Sequence, residues 1–277
     1  YEFDNNLVMK QDVSDTDLYW IEITGLTSGQ YYTYQYWLVD ETPIANSPQI
    51  VKTADPYSPV VLSPFDDGGI SNFPGMPSYP AGQEREVTLI KTGQTPYNWV
   101  VDSFDKPKKE DLVVYEVLIR DFDANRSYQN LIDRFDYFKN LKINAIQLMP
   151  IMDTSFHYAL DKFYGTPEKF KEFVDLCHQN GIAVILDIAL NHATGRNPLV
   201  RMWMDDPDDD GWGGPSSENP YFNTVAQHDY SVFNDFDHSN SLTQNYTKKV
   251  VEHWVTEYKI DGFRWDLTKG FTQNCGP

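Results

Sequence analysis

Cysteine is scarce in this 277-residue sequence: only Cys177 and Cys275 are present, too few for a disulfide framework. Basic charge is scarce too, with 22 Lys and Arg against 41 Asp and Glu, and the one basic cluster, residues 106–109, is short. The resulting net charge of −19 repels a phosphate backbone, so nucleic acid is excluded as the expected partner. Long apolar runs are missing as well. The longest are interrupted at Asp187 and Asp266, and no window reaches the roughly 18 to 20 residues that a membrane-spanning helix needs. The first six residues show no initiator Met, no basic stretch and no apolar stretch of a targeting segment. A secreted or periplasmic location is expected over a cytoplasmic one. What is present is a globular composition, 40% hydrophobic, 15% aromatic and 23% charged, in a length that suits one large domain or two smaller ones.

Three textures follow one another along the chain. Residues 18–38 hold two runs rich in Tyr, Trp, Ile and Thr around a turn at Gly25 and Gly29, the pattern of an antiparallel hairpin. Residues 1–57 are therefore expected to be part of a β-sandwich of immunoglobulin type, with carbohydrate binding as a candidate role. A complete seven-stranded sandwich takes about 100 residues, so its front is expected to be missing. Residues 58–109 carry recurrent prolines and read as an extended connector. From residue 110 to 277, strand and helix signals alternate. Apolar strands are expected near 113–119, 145–151, 182–190 and 261–267, and helical stripes at Leu131, Phe135, Phe138 and Leu141, at Phe170, Phe173, Val174 and Cys177, and at Val250, Trp254 and Tyr258. Such alternation predicts an α/β fold with a parallel sheet. Residues 193–240 form a long excursion rich in Asp, Gly, Asn, Trp and Tyr.

Three of the four strands end in polar residues, Arg120-Asp121, Asn191-His192 and Arg264 with Asp266, where a core strand would stay apolar. Carboxyl-terminal strand ends carry the chemistry of parallel barrels. Period-two alternation puts Arg264 and Asp266 on one face, with Phe263, Trp265 and Leu267 on the other. A guanidinium so placed favours the ionised carboxylate, ready to act as a nucleophile. On the strand before, Asp187, Ala189 and Asn191 share a face, and His192 stands at the exit. In the excursion, Asp206, Asp208 and Asp210 with Gly211 spell D-x-D-x-D-G, similar to the first half of a calcium loop, though Ser217 stands where a bidentate Glu is expected. Calcium there would be structural. The excursion aromatics Trp203, Trp212, Tyr221, Phe222 and Tyr230 could stack on sugar rings, but core packing is the commoner use of such residues.

DIALNH and GFRWD, in this order and separation, resemble the D-x-x-x-N-H and G-F-R-x-D motifs on the third and fourth barrel strands of the α-amylase family, glycoside hydrolase family 13. VVYEVLIRDF, INAIQLMP and NDFDHSN extend the resemblance across residues 110–271. It implies a (β/α)8 TIM barrel, of which about the first four strand-helix units are present, and a retaining α-glucan-active hydrolase of α-amylase type. Branching and debranching enzymes, or a non-catalytic carbohydrate-binding relative, are the alternatives. Asp266 would be the nucleophile and Arg264 would hold its carboxylate. His192 would bind sugar hydroxyls, Asp187 would brace the strand end, and Asn191 would take a position often used for calcium. The acid/base Glu and a further Asp belong to the fifth and seventh strands of the family, which this sequence does not reach, so the chain is expected to be an inactive fragment of marginal stability with an apolar inner face laid open. Relatives also carry a Trp-Gly-Tyr loop where Met152 here runs straight into Asp153. The role of that tyrosine is not carried to Tyr158 or Tyr164.

Overall fold

The computed structural model describes residues 7–41, 45–65, 76–153 and 155–273; Cys275 lies outside them. Toward the N-terminus come β1 (Lys10–Gln11), β2 (Tyr19–Trp20), β3 (Tyr31–Tyr34), β4 (Tyr36–Val39), β5 (Ile50–Thr53), β6 (Val61–Leu62) and β7 (Val87–Lys91). β1 pairs with β2, β4 with β5, and β3 and β6 flank β7, all antiparallel. The hairpin expected across Gly25 and Gly29 does not form. Both glycines turn the chain, with φ of 79° and 81°, but the Gly29 amide donates to Thr92 O at 2.7 Å and so closes the β3–β7 pair instead. The segment expected as a connector therefore supplies β6 and β7, and it contributes Val60, Leu62, Val87 and Leu89 to a small core of its own.

Past residue 110 the chain runs through β8 (Val114–Val117), α1 (Ile119–Phe122), α2 (Tyr128–Asp133), α3 (Phe135–Asn140), β9 (Ala145–Leu148), the hairpin of β10 (Met152–Asp153) and β11 (Phe156–Leu160), α4 (Pro167–Gln179) and β12 (Ala183–Ile188). The excursion holds β13 (His192–Ala193), α5 (Pro198–Arg201), β14 (Met204–Asp205), β15 (Gly214–Pro215) and β16 (Asn234–Asp235); α6 (Ser241–Tyr258) and β17 (Gly262–Trp265) follow. β8, β9, β12 and β17 lie side by side in one four-stranded parallel sheet, in the order β17-β12-β9-β8.

Local chemistry explains the helices. Thr166 caps α4 by accepting from Lys169 N at 3.1 Å, Pro167 opens it, and Gly181 at φ 71° follows its end. Its stripe of Phe170, Phe173, Val174 and Cys177 is fully buried. Asn240 caps α6 in the same way, and Tyr246, Val250, Trp254 and Tyr258 face inward. The stripe expected as one helix over residues 131–141 is instead two. Arg134 (φ −99°, ψ 15°) leaves the helical region and ends α2, and Leu141, just past α3, is left 42% exposed.

Alternation along the sheet sends Val117, Leu148, Leu186 and Ile188 into the core beneath the helices. The opposite face carries Val114, Ala145, Ala183, Ile185 and Gly262 toward the start of the strands and Glu116, Gln147, Asp187 and Arg264 toward their ends, so the inner face expected to be apolar is polar at its carboxyl-terminal end; Gln147 Nε2 donates to Glu116 Oε2 at 2.7 Å. Among the described residues no helix is long and apolar enough to cross a membrane.

Candidate active site

The parallel register of β12 and β17 sets Asp187 opposite Arg264. Arg264 Nη1 donates to Asp187 Oδ1 at 3.0 Å and Oδ2 at 3.2 Å, and to Asp266 Oδ1 at 2.6 Å. One guanidinium nitrogen thus bridges two carboxylates of different exposure: the Asp187 side chain is 7% exposed and that of Asp266 is 40%. Burial pushes the Asp187 carboxyl above its ordinary range. The Arg264 hydrogen bonds and charge oppose that rise, and the charges of Asp266 and Glu116 add to it. The hydrogen bonds to Asp266 and then to Asp187 hold the Arg264 guanidinium firmly protonated.

Asp266 is fixed from its backbone as well, its N–H donating to Ile188 O at 3.0 Å. The next residue, Leu267, has φ 41° and ψ 60°, so the strand stops and Leu267 does not continue the alternation expected for it. A branched side chain in the left-handed region marks a constrained turn, directly after the most exposed carboxylate of the cluster.

Beyond β12, His192 is held by the β13–β16 ladder, where it faces Asp235, and Asn191 O accepts from Phe236 N at 3.1 Å. Burial lowers the His192 pKa, while the Asp266 and Asp235 charges raise it. The backbone of His192 is gripped from below: His157 Nε2 donates to His192 O at 3.2 Å, and His157 Nδ1 lies 3.2 Å from the Tyr246 hydroxyl. Burial drives the His157 pKa down to about 4, so its ring is neutral at neutral pH, with the proton on the nitrogen that faces the carbonyl. The Asp235 carboxylate is buried and accepts from His228 Nε2 and from Asn223 Nδ2, both at 2.8 Å. Sequence reading singled out none of His157, His228 or Asn223. The partners of their side chains are 7 to 89 positions away, and no local periodicity points at them. Asp235 fell inside NDFDHSN with no role attached.

Asn191 is 1% exposed, and its Oδ1 has no partner among the described residues. Gly270 is packed so closely on it that an added Cβ would sit 2.6 Å from Asn191 Cβ. A buried, unpaired amide oxygen fits a hard cation such as calcium. The Asp206, Asp208 and Asp210 oxygens also fit one, lying within 4.8 Å of one another. Gly211, at φ 81°, supplies the expected turn, and Asp206 also accepts from Gly211 N at 2.9 Å. This loop is fastened elsewhere: Arg85 Nη2 donates to Gly211 O at 2.7 Å and Arg201 Nη1 at 3.1 Å. Asp187, Arg264 and Asp266 thus come together, with Asn191 and His192 at the adjoining strand end, whereas the three excursion aspartates form a separate cluster. Arg120 and Asp121 sit in α1, exposed and paired with each other.

Residues 121–201 match the family Alpha-amylase, described as alpha amylase, catalytic domain. The malto-oligosyltrehalose trehalohydrolase of Saccharolobus solfataricus is 29% identical over 190 residues, covering 64% of this chain and 31% of that protein. Alpha-amylase 3 of Dictyoglomus thermophilum is 30% identical over 194 residues, covering 61% of this chain and 39% of that protein. The chain thus spans about a third of the length of these curated relatives. A solved structure of a candidate alpha amylase from Salmonella typhimurium superposes with a TM-score of 0.65 at 21% identity, over 95% of this chain and 38% of that one, a likeness of fold. Motifs, family match and fold agree: the chain is similar to the α-amylase catalytic domain, with the family match at residues 121–201.

Proposed function

We propose that this chain carries the nucleophile side of a retaining α-glucan-active glycoside hydrolase, cleaving α-1,4 bonds. The observation that carries the reading is the single guanidinium nitrogen of Arg264 shared by buried Asp187 and exposed Asp266. Asp266 Oδ1 is occupied by that bond, and Oδ2 has no hydrogen-bond partner among the described residues. Asp266 attacks the anomeric carbon, the glycosidic C–O bond breaks, and the leaving oxygen takes a proton from a second carboxyl about 5 to 5.5 Å away. That carboxyl belongs, in this reading, to a strand outside this chain. Water then cleaves the glycosyl ester and frees Asp266. His192, with an imidazole that can donate and accept, holds a sugar hydroxyl. The bond choice follows the Dictyoglomus relative, whose name is alpha-amylase.

In the full enzyme, Asp266→Asn is expected to abolish glucan turnover and leave glucan binding intact. Retained turnover would remove Asp266 as the nucleophile, and an unaltered enzyme that binds glucan without turnover would be a non-catalytic carbohydrate binder. Calcium held by Asp206, Asp208 and Asp210 would brace the excursion. Chelation should then expose residues 206–212 to protease, and unchanged cleavage would refute the brace.

A further inference from the structure

Most aromatic residues of the excursion are engaged by protein. Phe222 stacks on Phe236 with centroids 4.2 Å apart, Trp203 packs on Tyr221, and Trp212 lies between Phe65 and Arg85. Phe233 differs. It is 68% exposed, yet its ring lies beside the His192 imidazole, with centroids 5.5 Å apart and planes 30° from parallel. Its backbone is left-handed, with φ of 51°, where a bulky side chain is a genuine outlier and Gly or Asn would be the unstrained choice. The cause is next door in the chain. Asn234 and Asp235 are bound into the ladder with Ala193 and His192, and Asp235 is locked by His228 and Asn223. The same ladder that sets His192 therefore also presents Phe233.

We propose that Phe233 is a sugar platform: its ring receives the apolar CH face of a glucosyl unit whose hydroxyl rim meets His192. This deepens the α-glucan reading of the site and rests on it. A pyranose is apolar on its CH face and polar at its edge. The pair offers matching surfaces, a phenyl face with its negative quadrupole beside an imidazole able to donate and accept. An uncharged ligand also suits a chain of net charge −19, which would repel an anionic one. Strained backbone that holds a large apolar side chain out in solvent is the kind of outlier from which a functional role is inferred.

The test is calorimetric titration of the full chain with maltoheptaose, in the unaltered protein and in Phe233→Gly and Phe233→Trp. Glycine accepts a φ of 51° without strain, so Phe233→Gly should melt no lower than the unaltered protein while losing the ring. Its affinity is expected to fall about tenfold, and Phe233→Trp should bind within about threefold of the unaltered chain. Proton spectra of the bound sugar should show CH resonances displaced upfield by the ring in the unaltered chain and not in Phe233→Gly. Equal affinity of Phe233→Gly and the unaltered chain would overturn the platform and leave the glucan reading standing. No binding of millimolar maltoheptaose by the unaltered chain would overturn both.

Discussion

Residues 7–50 are richer in aromatic and β-branched side chains than residues 114–265, and the two regions put them to different ends. None of the described residues before Val51 is buried, and Leu18, Tyr19, Trp20 and Ile23 are each about half exposed. The later region sinks the whole inward faces of α4 and α6 into one core running from Val117 to Ile260. In the first region β-propensity yields the two-stranded ladders β1–β2 and β4–β5, marginal by themselves, and one edge strand, β3, of a three-stranded sheet. In the second, the capped helices α4 and α6 pack on β12 and β11. Strand signal alone therefore says little about where the stability of this chain resides, and the large terms are expected after residue 114.

The largest expected effect is at Trp254, fully buried in α6, which packs on Tyr258 and donates from Nε1 to His157 O at 2.9 Å. Trp254→Ala removes the ring, leaves a cavity and orphans a buried carbonyl, and should cost about 4 kcal/mol of unfolding free energy in urea titration. A loss under about 1 kcal/mol would break the contrast between the two regions.

Acid should act on the same side of the comparison, because all six histidines lie at or beyond residue 157. His157 is pushed down to about 4 by burial, against an ordinary value near 6.5. Its neutral form is the folded form, so its contribution is complete above pH 6.5. The unfolded chain takes up the proton first as pH falls, and the stability is lost between pH 6.5 and 4. A shift of this size corresponds to about 3 kcal/mol across that window. Unfolding free energies measured from pH 7 to 4 should fall accordingly, and His157→Gln should flatten the slope. An unchanged slope in that variant would remove His157 as its source.

How much of this was legible depends on the range of the interaction. Arg264, Asp266 and Asp187 could be placed on one face because strand alternation is local and parallel register carries it to the neighbouring strand. The α4 boundaries were legible from Thr166, Pro167 and Gly181, each of which acts within a turn. What failed is non-local. The Gly25–Gly29 turn looked like a hairpin because nothing near it reveals that β7, more than 50 residues on, is the partner of β3. Arg134 broke a stripe whose spacing alone suited one helix. His157, Asp235 and His228 form a support beneath His192 that exists only once α6 and the excursion have folded over β13. Phe233 carried no signal at all, since its exposure and left-handed backbone are imposed by the ladder that follows it.

The smallest effect is the sharpest test of the contrast. Trp20 is 48% exposed in β2, a two-residue strand paired, among the described residues, only with Lys10 and Gln11. Truncating an aromatic of this size in a core costs several kcal/mol, but where no buried neighbour surrounds it there is no cavity to create and little apolar area to return to water. Trp20→Ser should therefore change the unfolding free energy in urea titration by less than about 0.5 kcal/mol. A loss above about 1 kcal/mol would mean that the ring is covered in solution, and Leu18, Tyr19 and Ile23 would then have to be counted as one face of an interface. The two regions would differ in what covers them, and the exposed aromatics of the first would be read as a second core awaiting its other half.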